Sequence, residues 1–165
     1  MPIYMTGTQQ KHQQVIAERV KMAWGWQCEP APVLEHATFA IHKAGRCAAF
    51  MTTRTRTNTA NKYPSVFLDL AKVQYMLQLE RTKKVPSFFF AQFTDCLMFA
   101  PLDNLIFRAR IGGRYDRGDE RDVEPIADIP VAALFNVEGT PDPLDHLIIH
   151  HRFMLMTVSG PHSTP

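Results

Sequence analysis

The chain of 165 residues has the length of a single domain, which is enough to bury a core without disulfides or metals. Its apolar fraction of 45% is ordinary for a globular protein, and a formal net charge of +2 is too small to indicate nucleic-acid binding by itself. Three cysteines without CxxC spacing, Cys28, Cys47 and Cys96, argue against a zinc site or a disulfide framework and favour a reducing compartment, with each thiol a small buried apolar group. We expect neither a signal peptide nor a membrane-spanning helix, because the N-terminus is polar and every apolar run is too short.

The first half of the chain predicts a helix followed by a β-hairpin. Apolar residues recur at helical spacing from Thr8 onwards, and Gly25 is placed to end the helix. Two prolines then impose an extended connector. A strand over residues 33–41 and another over residues 47–53 flank turn residues 43–46, which is the pattern of an antiparallel hairpin.

The second half predicts another helix and a series of strands. An apolar face repeats at helical spacing over residues 66–80, directly after a Tyr-Pro-Ser turn. Strands are predicted at residues 88–93, 96–100 and 104–111, a short strand or edge piece within residues 125–137, and a final apolar strand or helix at residues 147–158. This order favours an α/β or α+β domain with a mixed β-sheet flanked by helices.

We expect residues 1–140 to form this domain and residues 141–165 to form a C-terminal extension that packs on it and has a flexible end. The extension contains an HxxxHH pattern. On a helix, His146 and His150 would share a face and could bind zinc with Asp145. The apolar residues between the histidines are more typical of a strand, which favours structural histidines over a metal site.

The strongest functional signal is a window without acidic residues, from His36 to Leu68. It holds the basic residues Lys43, Arg46, Arg54, Arg56 and Lys62. Because acidic and basic residues nearly balance in the whole chain, this segregation indicates a polyanion as partner. A basic strand end and loop that are merely solvated would give the same pattern.

The order of elements and several segments resemble the PD-(D/E)xK nuclease-like superfamily, in the form found among small phage-encoded proteins. Gly45-Arg46 matches the hairpin turn, and AFMTTRTRT matches the strand that carries Glu-x-Lys in that family. KYPSVFLDLAK matches the Tyr-Pro turn and second helix, with Lys72 as its lysine, and VPSFFFAQFTDCLMFAPL matches the next hairpin. The resemblance covers residues 11–137 and implies a restriction-endonuclease-like core.

The residues that the family uses for catalysis are replaced in this chain. The Glu position falls on Thr52, the Lys position on Arg54, and the Asp position near His36 or Ala37, with Glu35 the only nearby carboxylate. Mg²⁺ is a hard cation that needs oxygen ligands, and neutral threonine is a poor anchor for it. Arginine stays protonated and cannot act as a base. We therefore predict vestigial positions with no catalytic residue, no metal and no cofactor.

The first hypothesis that follows is a catalytically inactive nuclease-like phage protein that acts by binding nucleic acid or a host protein. In the nucleic-acid version, Arg54, Arg56, Lys62 and Lys72 contact phosphates, and Tyr63 stacks on a base or donates a hydrogen bond. DNA and RNA both stay open as partners.

Two alternatives remain. An active nuclease with a migrated site would hold Mg²⁺ through Glu18, Glu35 or Asp69. A pure protein-interaction factor would inhibit a host enzyme without touching nucleic acid. All three hypotheses leave a homodimer open, involve no membrane, and place the chain in the cytoplasm, which is that of the bacterial host for a phage-encoded protein.

Overall fold

The computed structural model describes residues 7–31, 34, 36–113 and 123–145. These ranges contain the α-helices α1 (Gly7–Trp24) and α2 (Leu70–Lys83), and residues 143–145 are helical as well. Their nine strands are β1 (Gln27–Pro30), β2 (Phe39–Lys43), β3 (Arg46–Thr55), β4 (Ser65–Asp69), β5 (Ser87–Gln92), β6 (Leu97–Pro101), β7 (Arg108–Gly113), β8 (Val123–Pro130) and β9 (Phe135–Asn136). A short 3₁₀ turn (Val131–Ala133) joins the last two strands.

The strands form two sheets. Sheet A has the order β1-β2-β3-β5-β6-β9, and sheet B has the order β4-β8-β7. Sheet A is mixed, because β3 and β5 pair in parallel while its other neighbours are antiparallel. The two pairings within sheet B are antiparallel. The predicted fold class, a mixed sheet flanked by helices, is confirmed.

Sheet A separates two hydrophobic clusters, because side chains alternate between its faces. On one face, Ile16 and Val20 of α1 pack with Met51 and Phe90. On the other face, residues of α2 and of sheet B pack with Phe50 and Phe89. The two helices therefore lie on opposite faces of sheet A, and α2 contacts both sheets.

The predicted first helix and the predicted hairpin are confirmed. The backbone N–H of Gly25 donates to the carbonyl of Lys21 at 2.8 Å, and Gly25 has a φ of +71°, so that it ends α1 in the left-handed conformation that glycine adopts without strain. The β2–β3 turn has positive φ at both central residues, Ala44 and Gly45. Two such residues match the right-handed twist of the flanking strands.

The prediction of a helix over residues 66–80 is wrong in its first turn. Residues Ser65–Asp69 form β4, and α2 begins only at Leu70. Val66 pairs with Ile129 and Leu68 pairs with Ala127 of β8, and all four are buried. A short apolar run is compatible with both helical and strand periodicity, so the sequence alone does not distinguish them. Pairing with β8, about sixty residues further along the chain, makes these residues a strand.

Other boundaries also differ from the prediction. Residues 27–30, expected to be connector, pair with β2 as an edge strand. The strand expected over residues 33–41 begins only at Phe39, and that expected over 104–111 begins at Arg108. Cys47 is exposed and not a buried apolar group, while all three cysteines are unpaired as expected.

Some predictions for the C-terminal extension lie outside the described residues. They are the final element at residues 147–158 and the histidines at positions 146 and 150. None of the helices in the described ranges is both long and apolar enough to cross a membrane.

Candidate nucleic-acid interface

The C-terminal half of β3 carries Thr52 and Arg54, the positions to which the resemblance assigns the family's glutamate and lysine. Phe50 faces α2, and strand alternation places Thr52 and Arg54 on the same side. Thr52 is only 1% exposed, and its hydroxyl donates a hydrogen bond to the carbonyl oxygen of His36 at 3.2 Å. The structure thus brings the residues just before β2 against this strand, as the resemblance requires.

Two threonines form the contact between the residue just before β2 and the C-terminal half of β3. The Oγ1 atoms of Thr38 and Thr53 are 3.2 Å apart, and Thr38 Oγ1 also accepts a hydrogen bond from the backbone N–H of Thr53. Within the described ranges, no three His, Cys, Asp or Glu side chains are grouped to hold a metal ion. Glu35 lies outside these ranges. No sequence pattern indicated Thr38, because only the strand register brings it opposite the end of β3.

Arg54 has a partly desolvated charge. Its Nε is buried and has no hydrogen-bond partner among the described residues, and its guanidinium carbon lies 5.3 Å from the ring centre of Phe67. Burial lowers the pKa of Arg54, the positive charge of Arg56 lowers it further, and the carboxylate of Asp69 opposes both effects. Arginine still stays charged, so the site offers a cation that lacks a hydrogen bond at Nε.

Arg56 is the second cation at this strand end. Its guanidinium carbon lies 5.5 Å from the same Phe67 ring, and its backbone N–H donates to the carbonyl of Gln92 at 2.8 Å. The structure therefore brings Arg54 and Arg56 together. A helix over residues 66–80 would place Phe67 on its apolar face, whereas as part of β4 its ring contacts both cations.

Lys62 and Tyr63 lie in the loop that joins β3 to β4. The ammonium nitrogen of Lys62 is 5.5 Å from the ring centre of Tyr63, and this ring is 50% exposed. The loop is anchored by the backbone N–H of Ala60, which donates to Asp95 Oδ1 at 2.9 Å. An exposed tyrosine beside a lysine is a platform on which a base can stack.

The remaining predicted residues are distributed around this strand end. Lys72 is half-buried in the first turn of α2, and Asp69 is the last residue of β4. Tyr75 of α2 meets the ring of His36 edge-on, with 5.0 Å between ring centres. The Tyr75–His36 contact places the second turn of α2 beside the segment whose carbonyl accepts from Thr52.

Glu18 stands apart from the vestigial positions. It is exposed on α1, on the opposite side of sheet A, and its Oε1 accepts a hydrogen bond from Gln14 at 3.1 Å. It borders a shallow surface hollow with Met22 and Val137. None of its described contacts involves Thr52 or Arg54.

Comparisons with known proteins identify the family and the fold of the chain. The family model described as "Phage putative PDDEXK endonuclease" matches residues 1–137. The Holliday junction resolvase Hjc of the archaeal hyperthermophile Archaeoglobus fulgidus has a similar fold, with a TM-score of 0.53 and 10% sequence identity over 75% of this chain and 84% of that chain. No curated protein sequence matches the chain. At such low identity, the likeness to the resolvase shows the fold alone.

Proposed function

The chain belongs to the family of phage putative PDDEXK endonucleases, and from this membership we propose that it binds nucleic acid at the end of β3 without cleaving it. The observation that carries the proposal is the guanidinium of Arg54. It occupies the position that the family resemblance assigns to lysine, with a buried Nε that has no described partner and with Arg56 beside it. A phosphate oxygen would supply the missing acceptor and offset the repulsion between the two cations.

The absence of cleavage is proposed because the positions expected to hold Mg²⁺ carry other chemistry. The hydroxyl of Thr52 is already used by the carbonyl oxygen of His36. Mg²⁺ requires near-octahedral oxygen ligands, usually with one or two carboxylates, and neutral hydroxyls alone bind it poorly. Without a metal, we expect water not to be activated at this strand end for attack on a phosphodiester.

DNA is the polyanion that the fold favours, since a similar fold occurs in a Holliday junction resolvase. The exposed ring of Tyr63 adds a surface for an unstacked base. Single-stranded, duplex and branched DNA are therefore the substrates to compare, with RNA of the same sequence as a reference.

The binding test uses the double variant R54A/R56A. Affinity for labelled oligonucleotides is measured by fluorescence anisotropy at several salt concentrations. We expect at least a roughly tenfold loss of affinity, because two charge-assisted contacts are removed, and a salt dependence shallower by about two charges. The matched control R81A/K83A removes two exposed charges at the other end of α2 and should bind like the wild type. Equal affinity of the wild type and R54A/R56A would refute the proposal.

Incubation with Mg²⁺ or Mn²⁺ tests the catalytic half of the proposal. We expect intact single-stranded, duplex and branched DNA. The migrated-site alternative has one observation in its favour, which is the carboxylate of Asp69 close to Arg54. Cleavage that is abolished by Asp69→Asn or by Glu18→Ala would establish that alternative and reject an inactive protein.

A further inference from the structure

A third arginine reaches the same aromatic ring from the other sheet. The guanidinium carbon of Arg110, on β7, lies 5.6 Å from the ring centre of Phe67, against 5.3 Å for Arg54 and 5.5 Å for Arg56. Arg54 lies on β3 of sheet A and Arg56 follows directly after this strand, whereas Phe67 and Arg110 belong to sheet B. Three cations, carried by the end of β3 and by β7, therefore contact one ring.

The strand register of sheet B explains why Arg110 reaches this position. Phe67 pairs with Asp128 of β8, and Asp128 pairs in turn with Arg108 of β7. Arg110 is two residues further along β7, so that its side chain leaves the same face of the sheet as Phe67. The buried residues of β4, Val66 and Leu68, leave from the opposite face.

The carboxylates near the ring do not balance these charges. Asp128 Oδ2 accepts from Arg110 Nε at 3.3 Å, and Asp69 is close enough to Arg54 to act on its pKa. Among the described residues, neither Arg54 nor Arg56 forms a salt bridge. Counted over the residues that the structure describes, three guanidiniums therefore face two carboxylates, and cation–π contact with Phe67 offsets only part of their mutual repulsion.

We propose that Arg54, Arg56 and Arg110 form one composite site, shared by the two sheets, for the sugar-phosphate backbone of a nucleic acid. The site deepens the proposed function and rests on it. Each guanidinium presents a planar fork of N–H donors that matches phosphate oxygens. Phe67 holds the three groups at one place before a ligand arrives, and the ion pair with Asp128 orients Arg110, so that less ordering is required on binding.

Arg110→Ala is the variant that tests this composite site. Binding of DNA oligonucleotides is measured by fluorescence anisotropy across a salt series, with circular dichroism as a check on folding. We expect affinity to fall by about tenfold, which is the usual effect of losing one charge-assisted contact, and the salt dependence to become shallower by about one charge. Arg46→Ala is the matched control, because it removes the same charge from the exposed start of β3, at the far end of the strand.

The variant Asp128→Asn separates phosphate contact from damage to the sheet. It keeps a hydrogen-bond acceptor for Arg110 but removes the competing negative charge, so affinity should rise by about twofold to fivefold. A fall as large as that of Arg110→Ala would show that the variants act by disturbing β7 and β8, and would overturn the site. Arg110→Ala with the affinity of Arg46→Ala would also overturn it, while the loss in R54A/R56A would leave the proposed function standing.

Discussion

The surroundings of Thr52 at the end of β3 suit a neutral side chain. Its hydroxyl donates to the carbonyl oxygen of His36, and the residue is almost completely buried. A carboxylate in its place would set two acceptors against each other without solvent, which costs free energy unless a cation lies between them. The nearby cation, Arg54, contacts the ring of Phe67 and does not lie between two such acceptors in the described structure. A neutral Thr52 beside a cationic Arg54 thus suits the anion binding that we propose for this strand end.

Glu80, near the C-terminus of α2, is a residue at which pH should alter stability. Burial and the nearby carboxylate of Asp103 raise the pKa of Glu80 to about 7, against a smaller lowering by a backbone hydrogen bond from Ser87. One of its oxygens, Oε2, is buried without a partner among the described residues. The native state therefore favours the protonated form, in which Glu80 carries no charge to desolvate.

Because the pKa is raised in the folded chain, the native state binds the extra proton between the unfolded value near 4.5 and about 7. The free energy of unfolding should fall as the pH rises through this range. Above about pH 7, Glu80 should cause no further change. At pH 8 we expect Glu80→Gln to raise the free energy of unfolding by about 1 kcal/mol, once screening of the half-exposed carboxyl is allowed for. The variant should therefore unfold at a higher temperature than the wild type. Near pH 4 the two should unfold together.

Calorimetry at the two pH values measures the effect of Glu80→Gln. Glu138→Gln is the control, since that side chain is 83% exposed and should show no such difference. An equal gain at pH 4 and pH 8 would mean that the amide stabilises the helix end for another reason.

At the scale of elements, the proposed interface depends on β4, because this strand presents the ring of Phe67 to the three arginines. A helix over residues 66–69 would separate Phe67 from sheet B, and the three arginines would have no common ring. As a strand, β4 buries Val66 and Leu68 and turns Phe67 and Asp69 to the other face. No loop separates β4 from α2, because the helix begins at Leu70, directly after Asp69.

The position of β7 depends on Gly112. A β-carbon at Gly112 would lie 2.4 Å from Ile126 Cδ1 on the paired strand β8, which is closer than carbon atoms approach. We expect Gly112→Ala to lower the free energy of unfolding by about 1–2 kcal/mol, because the isoleucine must move. Chemical denaturation measures the change.

A second substitution tests the cause of that loss. Ile126→Val removes the Cδ1 atom, so the double variant G112A/I126V should be less destabilised than the sum of the two single variants. Strict additivity would show that the loss in Gly112→Ala does not come from this contact.

At the scale of the whole molecule, residues just beyond the family match join distant parts of the chain. Asp142 Oδ1 accepts from Trp26 Nε1 at 2.9 Å, and Asp142 Oδ2 accepts from Lys43 Nζ at 2.6 Å. Trp26 is fully buried and follows α1, while Lys43 lies at the β2–β3 turn. Asp142 thus ties the segment after β9 to the start of the chain, whereas the division at residues 140 and 141 stays a prediction.

Asp142→Ala should be destabilising because it leaves a buried indole N–H without its acceptor. We expect the free energy of unfolding to fall by about 2 kcal/mol, measured by urea denaturation. Asp145→Ala is the matched control, because Asp145 also contacts Lys43, at 3.2 Å, but is 69% exposed. Exposed ion pairs contribute about 0–1 kcal/mol, so equal losses in the two variants would contradict the assigned role of Asp142.

The sequence by itself determined the first helix, the β2–β3 hairpin, the fold class and the places of Thr52 and Arg54 at the end of a buried strand. Helical periodicity, turn glycines and strand alternation are local properties, and they act over a few residues. The tertiary structure alone decided that residues 65–69 form a strand, because Val66 and Leu68 pair with residues of β8 far along the chain. It also brought Arg110 to Phe67, since the pairing of distant strands sets that contact and no local pattern encodes it.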